Sequence, residues 1–256
     1  MAAALEEAFK GAIMGRNQKD PKAILPDITN AYKALFGDDL VSIILYGSAT
    51  GQDFRPGKSD INFMVVVTED GIEHLDQAFD VVNKWRKKGV AIPLFLTEEY
   101  VKSSLDVFPI EYLNFQNNHI LVFGKDILKD LEFSPEFLRL QCEREIKGKL
   151  LLLREAFLET SGKGKALKEL ITHALPALMA IFEALLHLKK IDVPRERRDI
   201  VRATADAFDL ERGVFEGLLD IKEDKSRFSD KESLNLFKSC LKEMRKLSKL
   251  INAWGG

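Results

Sequence analysis

Cysteine is nearly missing from this 256-residue chain: Cys142 and Cys240 are the only two, far apart and outside any CxxC or Cys/His spacing. That excludes a disulfide framework and a structural zinc site, and it leaves both thiols as small core residues. A dominant charge sign is also missing, with 38 Lys and Arg against 40 Asp and Glu, a formal charge of -2 and a pI near 6.2. Such a chain has no global basic field to drive nucleic-acid binding. Long apolar runs are lacking too. Ile61 to Val67, broken by Asn62, and Leu150 to Leu153 fall far below the roughly 20 residues of a membrane span, so no membrane partner is expected. The start Met-Ala-Ala-Ala-Leu-Glu-Glu has no cationic segment leading into an apolar one, which with the scarce cysteine gives the expectation of a cytoplasmic protein. Internal repeats and low-complexity segments are absent as well. What remains is an ordinary globular composition, 46% hydrophobic and 30% charged, in a length that suits two domains.

Helix and strand signals alternate up to about residue 133, and from Ser134 onward the pattern is helical throughout. The change predicts an α/β domain over 1–133 and a helical bundle over 134–256. In the first part, helices are expected over Ala4 to Met14 and from Pro21 to near Gly37, the latter capped by Asp20. Leu40 to Tyr46 reads as a strand stopped by Gly47, and Asp60 to Val67 as a central strand covered on both faces. Glu69 to Lys88 has helical periodicity; Val90 to Leu96 is a strand that Pro93 confines to an edge; a helix starts after Thr97; His119 to Gly124 adds a short strand. In the second part, Pro135 to Glu159 carries Leu138, Cys142, Ile146, Leu150, Leu153 and Phe157 along one face. Further helices are expected over Leu167 to Lys189, kinked at Pro176, and over Pro194 to Phe208, Gly213 to Ile221 and Lys231 to Trp254.

The chemistry concentrates in Tyr46-Gly47-Ser48-Ala49-Thr50-Gly51 and Gly57-Lys58-Ser59-Asp60-Ile61-Asn62-Phe63. A strand running into Gly47-Ser48 lets backbone approach a ligand closely, because Gly47 has no Cβ and Ser48 offers both an amide and a hydroxyl. A helical turn after it would present free amides to a phosphate. Side chains two apart on a strand share a face, so Asp60 and Asn62 point together toward a place where a hard cation could sit beside phosphates.

This pattern resembles the signature of the DNA polymerase beta-type nucleotidyltransferase superfamily: an apolar residue, Gly, Gly or Ser, about a dozen residues, then Asp, an apolar residue and a second acid. The domain order is similar to prokaryotic members with an appended helical domain, such as the kanamycin nucleotidyltransferases. The resemblance implies a nucleotidyltransferase fold with a mixed sheet, followed by an all-α bundle. It implies a nucleoside triphosphate as partner, Mg²⁺ as cofactor, phosphate contacts from Gly47 and Ser48, and metal binding and catalysis at Asp60 and Asn62. The reaction would be transfer of a nucleoside monophosphate to a hydroxyl acceptor, with metals activating the hydroxyl and neutralising developing charge.

Two departures bear on that reaction. Asn62 stands where the second acid belongs and offers a neutral carbonyl oxygen, and the strand Val90 to Leu96, where a third acid is due, has no carboxylate. Glu98 and Glu99 follow Thr97, a place any helix start favours for acids, and Glu111 is more remote. Arg55 and Lys58 either reach the triphosphate or are solvated loop charges. Arg139, Arg144, Lys147, Lys149 and Arg154 run among Glu143 and Glu145, the pattern of an exposed ion-pair face. Two functions therefore compete: a Mg²⁺-dependent transferase, and a nucleotide-binding or protein-interaction module that has lost catalysis. The helical domain is in addition a candidate homodimer surface.

Overall fold

A computed structural model of the chain describes residues 20–51, 54–57, 59–225 and 227–254. The expected helix Ala4 to Met14 and the candidate Lys58 lie outside them. The chain divides between Phe133 and Ser134 into two compact units.

In the first unit, Asp20 accepts a hydrogen bond from the Lys22 amide and opens a 3-10 turn, Pro21–Ile24, that leads into α1 (Leu25–Phe36). Four strands follow: β1 (Leu40–Tyr46), β2 (Asn62–Val67), β3 (Leu94–Leu96) and β4 (His119–Gly124). They lie in the order β3-β2-β1-β4, with β1 antiparallel to both neighbours and β2 parallel to β3. The sheet is therefore mixed, and its central strands are apolar on both faces. Ile61, Phe63, Val65 and Val67 pack with Ile28, Tyr32 and Trp85 on one side. Met64 and Val66 pack with Ile44, Val101, Tyr112 and Leu128 on the other.

Three expected elements are shorter than their patterns suggest. Glu69 to Lys88 is broken into α2 (Glu69–Ile72), a 3-10 turn Leu75–Ala78 and α3 (Phe79–Arg86). Gly71 is seated tightly, a Cβ there lying 3.0 Å from Val67 Cβ and 3.1 Å from Asp39 Cβ, so the first turn is held to the strand end and the helix restarts beyond His74. Asp60 stands outside β2, and Ile61 joins the sheet only through an isolated bridge to Val90. Pro93, which has no amide to donate, leaves only Leu94–Leu96 of the third strand. After α4 (Glu98–Ser103) comes a helix the periodicity did not announce, α5 (Pro109–Asn117).

The second unit is helical among the described residues: α6 (Pro135–Glu159), α7 (Gly164–Leu188), α8 (Arg197–Phe208), α9 (Arg212–Glu223) and α10 (Asp230–Ala253). α6 turns Leu138, Cys142, Ile146, Leu150 and Leu153 inward. α7 is long and apolar enough to cross a membrane by length and composition, yet it places Leu167, Ile171, Leu175, Leu178, Phe182 and Leu185 in the bundle interior. It is continuous through Pro176. Ser229 and Glu232 form a reciprocal capping box at the start of α10.

Candidate functional site

Tyr46 ends β1 and is paired with Asn62, the first residue of β2. Gly47 then takes a left-handed φ of +76°, a conformation that disfavours any side chain, and swings the chain into a 3-10 turn, Gly47–Thr50. Thr50 Oγ1 donates to the Gly47 carbonyl at 2.8 Å, the Gly51 amide donates to the Ser48 carbonyl at 3.3 Å, and the Gly47 amide donates to the Asn118 carbonyl at 3.2 Å. The corner is thus tied to itself and to the head of β4. A Cβ built on Gly47 would lie 3.6 Å from Asn62 Nδ2, so the Asn62 side chain faces the glycine across the strand pair. Ser48 is half-buried beside it.

Asp60 is exposed, Ile61 is fully buried and Asn62 is half-buried. That alternation turns Asp60 and Asn62 to the face away from Ile61. Arg55 is exposed on a turn closed upon itself: its amide donates to Ser59 Oγ at 3.1 Å and the Ser59 amide donates to its carbonyl at 2.9 Å, with Gly57 at φ +75° between them. Its guanidinium makes no hydrogen bond or ion pair with a described residue.

The other carboxylates lie elsewhere. In the β2–β3 register Val66 is opposite Leu96, and Asn62 is four residues back, about 13 Å along the strand. Glu98 and Glu99 come after Leu96 and so stand at the opposite end of the sheet from Gly47. They occupy the first turn of α4 under the Thr97 cap, which accepts the Tyr100 amide at 3.1 Å, and Glu98 pairs with Lys125 at 2.6 Å. Glu111 is in the first turn of α5, six residues and about 9 Å of helix from Asn117. A groove of about 680 Å³ lies with Glu98 and Glu99, lined also by Val41, Thr68, Glu69 and Lys102. Its carboxylates suit it poorly to a triphosphate. Among the described residues no three His, Cys, Asp or Glu side chains converge where a metal ion could be held. Among the described residues the corner supplies one carboxylate, Asp60, and one neutral amide, Asn62, a pair that does not fit a two-metal centre.

Sequence reasoning missed the brace behind the corner. His119 is opposite Tyr46 in the β1–β4 register. Its Nδ1 lies 3.0 Å from the Gln116 carbonyl and its Nε2 3.2 Å from both Asp126 oxygens. Asp126 also accepts the amides of Leu128 at 3.1 Å and Lys129 at 3.2 Å. Partial burial raises the Asp126 carboxyl, but the His119 and backbone hydrogen bonds outweigh it and hold the group below the usual carboxylate range. Gln116 Nε2 donates to the carbonyls of Leu128, Lys129 and Leu131 at 2.9, 3.1 and 3.0 Å. Together these bonds fix α5, the start of β4 and the segment after it, and so fix the Asn118 carbonyl that holds Gly47. No local pattern announces this set, because its members meet across a strand and a turn.

No protein-family model matches the chain, and no curated protein matches it. Among solved structures it is similar to the spectinomycin adenyltransferase AAD(9) from Enterococcus faecialis, determined with ATP and spectinomycin, at 12% identity and a TM-score of 0.49, over 87% of this chain and 98% of that one. The strand order and the division of the chain give the architecture: a four-stranded mixed sheet with a Gly-Ser corner between β1 and β2, followed by a unit that is helical among the described residues.

Proposed function

We propose that the chain is a nucleotidyltransferase-like module that holds the phosphates of a nucleoside triphosphate at the Gly47-Ser48 corner and has lost nucleotidyl transfer. The observation that carries this reading is the pairing of an intact corner with an incomplete acid set. Gly47 is in the left-handed region and faces the Asn62 amide, so backbone and Ser48 are available to phosphate oxygens without a second carboxylate to repel them. Among the described residues Asp60 is the one acid on that face, and a Mg²⁺ would reach it carried by the triphosphate, which supplies most of the ligands. One carboxylate cannot fix two cations, and without them the acceptor hydroxyl is left unactivated.

The test has two arms on the full chain. Calorimetric titration with each nucleoside triphosphate in Mg²⁺ should give binding that Ser48→Ala weakens. Incubation with α-labelled triphosphates, Mg²⁺ or Mn²⁺ and hydroxyl acceptors, aminocyclitols and aminoglycosides among them, should give no labelled product. Labelled product refutes the loss of catalysis, and absence of binding refutes the site.

A further inference from the structure

On α6 the side turned away from the bundle is not the polar surface that an amphipathic helix of a monomer presents. Leu140 is 54% exposed, Leu151 66% and Leu158 76%. At about 100° per residue they fall on one narrow stripe with Arg144, Gly148 and Glu155, all exposed. Apart from Arg144, the charges expected to form an ion-pair face run beside this stripe rather than on it. Arg139 pairs with Glu143 at 2.8 Å, Glu143 with Lys147 at 2.5 Å, and Glu145 with Lys149 at 3.1 Å.

We propose that the stripe is the seam of a homodimer in which α6 packs antiparallel against α6 of a second copy. The sequence of the stripe is complementary to its own reverse. With the two-fold axis between residues 149 and 150, Leu151 is level with Gly148 of the second copy and Arg144 with Glu155, while Leu140 lies within one residue, about 1.5 Å of helix, of the level of Leu158. Each pair occurs twice, as an isologous contact requires. A Cβ added to Gly148 would touch nothing within 4 Å, so the glycine leaves a hollow for the opposing leucine. Arg144 is 62% exposed, and among the described residues its one ion-pair partner is its neighbour Glu145, at 3.8 Å. The alternation of leucine, arginine, glycine, leucine, glutamate and leucine fits this partner better than a lipid surface, which would leave both charges unmatched. One helix against one helix gives an interface near or below the low end of stable ones, roughly 1,200 Å² in total, so the dimer is concentration-dependent.

Sedimentation equilibrium on the full chain, from about 1 µM to several hundred µM, should follow a monomer–dimer curve. Leu151→Glu, on an exposed position, should leave the circular dichroism unchanged and the chain monomeric throughout. Arg144→Glu places like charges together twice and should weaken the dimer by roughly tenfold or more, and Arg144→Glu with Glu155→Arg should recover it. A chain that stays monomeric over the whole range, a dimer that survives Leu151→Glu, or a double variant no tighter than Arg144→Glu would each overturn the proposal.

Discussion

Gly47→Ala and Gly124→Ala make a matched pair, because both glycines have nearly the same left-handed φ, +76° and +78°, and differ in what a methyl would meet. At Gly47 the nearest atom is Asn62 Nδ2 at 3.6 Å, an ordinary contact. At Gly124 it is the Val41 carbonyl oxygen at 2.0 Å, with the Val41 carbon at 3.0 Å, and backbone has to move. A left-handed alanine costs about 1–2 kcal/mol, and the stiffer unfolded chain returns about 0.4–1 kcal/mol. Gly47→Ala should therefore lose only about 0–1.6 kcal/mol. Gly124→Ala carries the same backbone cost plus about 1–3 kcal/mol of overpacking between β4 and β1. Denaturation followed by Trp85 fluorescence in a Trp254→Phe background reads this order, since Trp85 is buried in the first unit and Trp254 belongs to the second. The functional order should be the reverse of the stability order. The Gly47 methyl projects between the corner and Asn62, so affinity for a Mg²⁺-bound nucleoside triphosphate should drop roughly tenfold, about 1.4 kcal/mol. At a temperature where Gly124→Ala remains folded, that variant should bind as the parent does. Equal destabilisation by the two variants would refute the described packing, and a Gly47→Ala protein with parental nucleotide affinity would refute the phosphate site.

Three further outcomes follow from the same geometry. Asn62→Asp restores a second carboxylate on the face shared with Asp60, and Mn²⁺ calorimetry in the presence of nucleoside triphosphate should show a gain of roughly tenfold or more; no gain places the cation elsewhere. Asp126 has a folded pKa below its unfolded one, so its contribution to stability is present above about pH 4 and disappears as pH falls through the lower folded value. Asp126→Asn should accordingly be less stable than the parent at pH 7 and lose less on acidification, as urea midpoints at pH 7 and pH 3 would reveal. Burial pushes the Cys142 thiol far up and the Cys240 thiol to about 12, so neither should react with a disulfide reagent at pH 8 in the native chain, and both should in denaturant.

How much of this was legible in the sequence depends on the range over which each feature is encoded. β1 and β4 and the starts and ends of α6 were readable because their signals are local: β-branched runs closed by Gly47 and Gly124, and Ser134-Pro135 ahead of a long periodic face. The Gly47-Ser48 corner was readable because a left-handed turn directly after a strand leaves few residue choices. The broken helix after Thr68 was not, since the periodicity of Ile72, Leu75, Phe79 and Val82 is that of one helix, while the break comes from Gly71 seating against Val67 and Asp39, residues whose approach only the folded sheet defines. The same holds for the site. The motif named Gly47, Ser48, Asp60 and Asn62, but the support of Gly47 comes from a carbonyl, that of Asn118, and any residue type could have supplied it. What keeps that carbonyl in place is a set of side chains, Gln116, His119 and Asp126, whose bonds cross from α5 to β4 to the following turn. Backbone donors and acceptors carry no residue label, so a site built on them stays hidden until the strands are in register, and the residues worth mutating are then the ones that hold the backbone still.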